Sequence, residues 1–174
     1  MSSSDLLAEV LLGAMPKVDD HPDIAGLFRD PEILPLLGPA LAHPLRDLGV
    51  EVVLGPEARG FALGTLVAAE LGVGLVLARK AGTNHPGADI RAVSSSTWRG
   101  RSETFLLRSF DIEPGRRFAV VDDWITTGNS TRALRDAAVG LGGVYVGCSA
   151  IVNKATPATI AELGAHTVVD FDRL

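Results

Sequence analysis

The chain has 174 residues and a single cysteine, Cys148, set in an apolar run. One thiol cannot close a disulfide within the chain, which fits a reducing compartment. Long hydrophobic runs are also missing. The longest near-apolar stretch, 61–78, contains Glu70 and three glycines and changes period partway, so it is not a membrane span. The residues ahead of the first apolar stretch carry no basic cluster of the kind that opens a secretory signal. A soluble cytoplasmic protein with no membrane partner is the expectation. A basic surplus is absent too: 16 basic residues face 21 acidic ones, giving −5. That balance argues against a nucleic-acid partner. His21, His43, His85 and His166 lack ligand spacing, which excludes an evident structural zinc site.

What is present is a core and an uneven charge distribution. Apolar residues make up 47% of the chain, and its length suits one compact domain over 1–174. Between Arg79 and Arg117 eight basic residues face four acids, a surplus of about four on a chain that is acidic elsewhere. Thirteen of the 16 basic residues are arginines, the side chain suited to bidentate contacts with phosphate or carboxylate.

The periodicity predicts a short amphipathic helix over 4–14 and a Pro- and Asp-rich loop over 16–23. Asp30-Pro31 reads as an N-cap and first helical position. It leads into a leucine stripe from Leu34 to Leu48 that Pro35, Pro39 and Pro44 interrupt. Strand, helix and strand follow at 50–54, 60–71 and 74–78. The same pattern returns at 118–121, 130–141 and 144–152, with a last helix at 156–164 and a last strand at 167–169. Two such units predict an α/β fold, an open parallel sheet flanked by helices. Residues 88–109 interrupt the series and read as a mobile hairpin hood with a polar tip.

The strongest chemical feature is Phe118-Ala-Val-Val-Asp-Asp-Trp-Ile-Thr-Thr-Gly-Asn-Ser130. A buried strand brings Asp122 and Asp123 to its carboxyl end, where ligands bind in such sheets. Thr126, Thr127, Gly128, Asn129 and Ser130 then form a turn that opens a helix. Its N–H groups and hydroxyls suit a phosphate dianion. No lysine lies in the turn, so it is not a Walker A loop. Paired acids would repel a phosphate and suit the vicinal diol of a ribose. Together the two features describe a ribose 5-phosphate site.

This stretch resembles the 13-residue signature of type I phosphoribosyltransferases, which bind 5-phosphoribosyl 1-diphosphate (PRPP). Trp124 stands where the family usually has a smaller aliphatic residue. Gly55-Pro-Glu-Ala-Arg-Gly-Phe61 is similar to the pyrophosphate loop of the family's adenine enzymes, and Arg79-Lys80 to the pair ending their next strand. The resemblance implies pyrophosphate roles for Glu57, Ala58, Arg59, Gly60, Arg79 and Lys80, with a cis peptide expected at Glu57-Ala58. It implies that the hairpin, with Arg99 and Arg101 at its tip, closes over the leaving pyrophosphate. It further implies a homodimer and a base-facing N-terminal segment over 1–48. Two departures stand out. Trp98 occupies the place of an acidic residue, and His21-Pro-Asp-Ile24 replaces the family's Phe-Arg-Asp-Ile.

The reading is transfer of a 5-phosphoribosyl group from PRPP to a purine base, adenine first, with pyrophosphate released. Catalytic roles fall to Asp122, Asp123 and Arg59. Magnesium would be bound through PRPP and by the acid pair. Xanthine or another 6-oxopurine, a different base, and a non-catalytic sensor of PRPP or purines are the alternatives. A nucleobase panel separates them.

Overall fold

The fold is seen in a computed structural model, which describes residues 3–18, 21–95 and 102–174. Chain order is α1 (Ser3–Ala14), β1 (Lys17–Val18), β2 (His21–Pro22), α2 (Ile24–Arg29) and α3 (Leu34–Ala42). A 3-10 turn over His43–Leu48 leads to β3 (Val52–Pro56), α4 (Arg59–Leu71) and β4 (Gly74–Lys80). The hairpin strands β5 (Ile90–Val93) and β6 (Thr104–Leu107) follow. Then come β7 (Arg117–Ile125), α5 (Asn129–Gly140), β8 (Val144–Asn153), α6 (Pro157–Leu163) and β9 (Ala165–Asp170).

Seven strands form one sheet in the order β5-β6-β4-β3-β7-β8-β9. The five from β4 to β9 run parallel. The two hairpin strands extend the β4 edge antiparallel, with Lys80 opposite Phe105. The hairpin is therefore part of the sheet as well as an excursion from it. The described residues end at Ser95 and resume at Ser102, so Trp98, Arg99 and Arg101 lie outside them.

Burial on both faces explains the sequence of the central strands. All five residues of β3 are buried, as are Phe118 to Val121 of β7, giving continuous apolar runs without alternation. One core packs α1 to α4 on one face, with Leu27, Leu37, Leu41, Leu63 and Val67 at its centre. The other packs α5, α6 and the hairpin around Phe105, Phe118 and Leu134. β7 continues four residues past its expected end, so the acid pair belongs to the strand itself.

Three details of the N-terminal segment differ from the expectation. Residues 16–23 are not all loop, because Lys17–Val18 pairs with His21–Pro22. A short helix, α2, follows. Asp23 caps it by accepting from the Gly26 N–H at 2.9 Å, and Ile24 and Leu27 face the core. Asp30 does accept from the Glu32 N–H, but regular helix starts only at Leu34. The interruption expected from the prolines appears as the change from α3 to 3-10 geometry at His43-Pro44.

Candidate functional site

β3 continues to β4 on one side and β7 returns to the other, so the sheet order reverses between β3 and β7. At such a point the loops leaving the two strands diverge and open a crevice at their carboxyl ends. Both loops singled out in the sequence lie there, 57–58 after β3 and 126–128 after β7.

Close packing holds the first loop. α4 starts at Arg59, and a Cβ on Gly60 would sit 2.5 Å from Pro56 Cδ and 3.1 Å from the Val121 carbonyl. Only glycine lets the helix start this near β7. The Glu57-Ala58 peptide is cis, as the resemblance implied. The Glu57 carboxylate points back to the end of β4. It accepts from the Lys80 backbone N–H at 3.0 Å and from Arg79 Nε at 3.3 Å. Burial works to raise its pKa, but the bonds from Lys80 and Arg79 outweigh it and hold the group below the usual range.

The acid pair is asymmetric. Asp123 is 8% exposed, and its carboxylate accepts from the Arg59 guanidinium across the crevice. Asp122 is half-buried, and its Oδ1 accepts from the Asp123 backbone N–H at 2.8 Å. Burial, together with the neighbouring Asp123 charge, pushes Asp122 well above the ordinary carboxylate range, against the partial relief of Arg59.

The second loop turns at Gly128, whose φ of 74° is left-handed. A Cβ there would meet Leu163 and Thr159 of α6 at 2.8 Å. Thr126, Asn129 and Ser130 are half-buried and Thr127 is exposed. The Thr127 hydroxyl accepts weakly from the Asn129 N–H, at 3.4 Å. The loop therefore presents a helix N-terminus and hydroxyls at the crevice, an arrangement suited to an anion.

The other described cations of the expected pyrophosphate set, Arg79 and Lys80, are engaged within the chain. Arg79 bonds Glu57 and the Asn84 carbonyl. Lys80 Nζ lies 2.8 Å from Glu103 at the base of the hairpin. Arg59, Arg79 and Lys80 each rest on an acid, so a bound pyrophosphate would take them by exchange.

The sequence reading singled out Trp124 but missed its neighbours on the adjoining strand ends. Trp124 is half-buried on β7, its ring 5.7 Å from Phe171, which follows β9. Lys154, which follows β8, holds its ammonium 4.0 Å from the Phe171 ring centre. Its backbone N–H bonds the Ile125 carbonyl at 2.8 Å, which ties it to the end of β7. Arg132 on α5 was missed as well. Position was the available signal: Lys154 and Phe171 each follow the carboxyl end of a predicted parallel strand.

Among the described residues no group of three or more His, Cys, Asp and Glu could hold a metal ion. Asp122 and Asp123 offer hard carboxylate oxygens of the kind magnesium takes, and would need a ligand's own oxygens to complete a shell. No helix among the described residues is long and apolar enough to cross a membrane.

Comparison with known proteins agrees with this geometry. The phosphoribosyl transferase domain model matches residues 42–158. Among solved structures, the chain is similar to adenine phosphoribosyltransferase from Rhodothermus marinus, with 28% identity and a TM-score of 0.82 over 95% of this chain and 99% of that one. It is also similar to the Saccharomyces cerevisiae enzyme complexed with an imino-altritol bisphosphate and adenine, with 25% identity and a TM-score of 0.79 over 93% and 97%. The enzyme from Thermoanaerobacter pseudethanolicus shares the fold, with a TM-score of 0.84 at 22% identity over 94% and 99%. The chain belongs to the phosphoribosyl transferase domain family, and its mostly parallel seven-stranded sheet is the type I phosphoribosyltransferase fold.

Proposed function

We propose that the protein transfers the 5-phosphoribosyl group of PRPP to a ring nitrogen of a purine and releases pyrophosphate. The observation that carries this reading is the end of β7, where an acid pair and an anion-binding turn stand in sequence at the switch point. In this reading Thr126 to Ser130 hold the 5-phosphate. Asp122 and Asp123 accept from the ribose hydroxyls and steady the positive charge that grows at C1 as its bond to pyrophosphate breaks. Arg59, Gly60 and the backbone of Glu57 and Ala58 receive the leaving group, joined by Arg79, Lys80, Arg99 and Arg101. The attacking nitrogen forms the new C1–N bond as the C1–O bond breaks, and its proton passes to solvent or the released pyrophosphate. Asp122 and Asp123 would hold magnesium together with the oxygens of PRPP, and the ion would supply positive charge against the leaving pyrophosphate. Catalysis by this chain is positioning and charge stabilisation, with no covalent intermediate required. A cytoplasmic homodimer belongs to the same reading.

Adenine is the first choice of base, supported by the likeness to adenine enzymes. One observation favours a second choice. The Lys154 ammonium, beside Trp124 and Phe171, is a donor with no acceptor capacity. It complements a ring carbonyl oxygen, which a 6-oxopurine carries, better than the amino group of adenine. The experiment is a pyrophosphate-release assay with PRPP, magnesium and adenine, hypoxanthine, guanine or xanthine. Turnover with adenine alone supports the first choice. Turnover with the oxopurines supports the second. PRPP binding with no turnover on any base supports a sensor and overturns the enzymatic reading.

A further inference from the structure

The 5-phosphate turn is held from behind by a side chain that reaches it from α5. Arg132 is half-buried, and its guanidinium faces two ways. Nε lies 3.0 and 3.1 Å from the two Glu162 oxygens, and Nη2 lies 2.6 Å from Oε2. That edge is fixed in the bidentate geometry a planar fork favours. The remaining nitrogen, Nη1, points into the turn. It donates to the Thr127 carbonyl at 2.7 Å and to Asn129 Oδ1 at 3.1 Å.

Each contact has a consequence for an anion site. Thr127 precedes the Gly128 cap, so its carbonyl lies outside the helical ladder of α5. A loop that binds a dianion through N–H groups must turn its carbonyls elsewhere, and Arg132 supplies a partner on the far side. Arginine donates only, so the Asn129 atom facing it is the oxygen. The Asn129 amide nitrogen therefore points the other way, where it donates to the Ser95 carbonyl at 3.4 Å. Ser94, the preceding residue, accepts from the Glu103 N–H at 2.9 Å at the hairpin base. Glu162 is anchored in turn. Arg135 Nη1 is 3.2 Å from it, and the two arginines, Arg132 above all, hold its carboxyl down to about 2. The charged pair persists at any pH where an enzyme of this type would work.

The geometry points to Arg132 on α5, locked by Glu162 on α6, as a positioning residue that sets the carbonyl and amide orientations of the 5-phosphate turn. This inference rests on the proposed PRPP site. Its test is calorimetric binding of PRPP, ribose 5-phosphate and pyrophosphate, each with magnesium, which needs no knowledge of the base. Arg132→Met weakens PRPP and ribose 5-phosphate about tenfold or more and leaves pyrophosphate within about twofold. Arg132→Lys does not restore affinity, because one ammonium cannot hold Glu162 bidentately and reach both loop oxygens. Glu162→Ala, on the exposed side of the pair, gives the same selective loss, and the double variant is no worse than either single one. Arg46→Ala, whose exposed pair with Glu70 is far from the turn in the fold, serves as the control and changes nothing. Equal losses for ribose 5-phosphate and pyrophosphate would mark general destabilisation and overturn the inference. So would unchanged ribose 5-phosphate affinity in both single variants. A wild-type protein that binds none of the three ligands overturns the PRPP reading itself, a failure distinct from the other two.

Discussion

The carboxyl end of the sheet has two sides that are built differently. The acid pair and the anion turn occupy consecutive residues, 122–130, and their geometry follows from one strand running into one helix. The cluster of Trp124, Lys154 and Phe171 draws on three strand ends spread over almost fifty residues, brought together only by the parallel order β7-β8-β9. A contiguous element carries its chemistry with it. A dispersed one exists only once the sheet has formed, and can change its chemistry one strand end at a time without disturbing the turn. On the proposed reading, this difference makes affinity for the sugar phosphate separable from choice of base.

The largest expected effect comes from breaking the contiguous side. Asp123→Ala removes a buried acceptor and the partner of Arg59, and PRPP affinity falls about 10- to 100-fold, as expected for lost charge-assisted bonds of about 1.5–3 kcal/mol. Titration calorimetry reads this, and wild-type affinity would remove Asp123 from the site. A smaller and selective effect separates the two sides. Lys154→Met shifts the ratio of kcat/KM between oxopurines and adenine toward adenine by about tenfold, while PRPP binding stays within about twofold. A parallel loss of PRPP affinity would show that the strand-end cluster and the turn are one unit.

The smallest effect concerns stability. The folded-state pKa of Asp122 lies above its unfolded value, so the protonated acid is favoured by the fold. Stability is then lost as pH rises from the ordinary carboxylate range through the raised pKa. Asp122→Asn keeps an acceptor for the Asp123 N–H and removes the charge. At pH 7 the variant melts about 2–4 °C higher, the shift that about 1 kcal/mol produces in a chain of this size. The gain disappears below about pH 4, near the ordinary Asp value. PRPP binding weakens in the same variant. A melting temperature that falls at pH 7 would contradict the buried-charge account.

Most of the geometry at the end of β7 was legible because local rules suffice for it. A buried apolar run ending in two acids and a hydroxyl-rich glycine turn has few other solutions, and the glycines at 60 and 128 mark the two close approaches. The N-terminal segment was less legible. α2 is only six residues long, and the β1-β2 pair joins two-residue strands that no periodicity can reveal. The hairpin was legible as two strands around a tip, but not its place in the sheet, where β6 pairs with β4 and β5 with β6. Nothing in the spacing of Arg79, Lys80 and Arg59 announces their acidic partners.

Local chemistry was enough for the α/β class, the paired acids at a strand end and the glycine turn behind them, because each depends mainly on neighbours in the chain. Only the tertiary structure decided where that turn stands and what holds it. The order of seven strands puts 57–58 and 126–128 on either side of one switch point, and sets Lys154 and Phe171 beside Trp124. It also brings Glu162 to Arg132, 30 positions away in sequence. Such juxtapositions depend on which strands pair and in what order, and strand order is fixed by burying two cores at once rather than by any single segment.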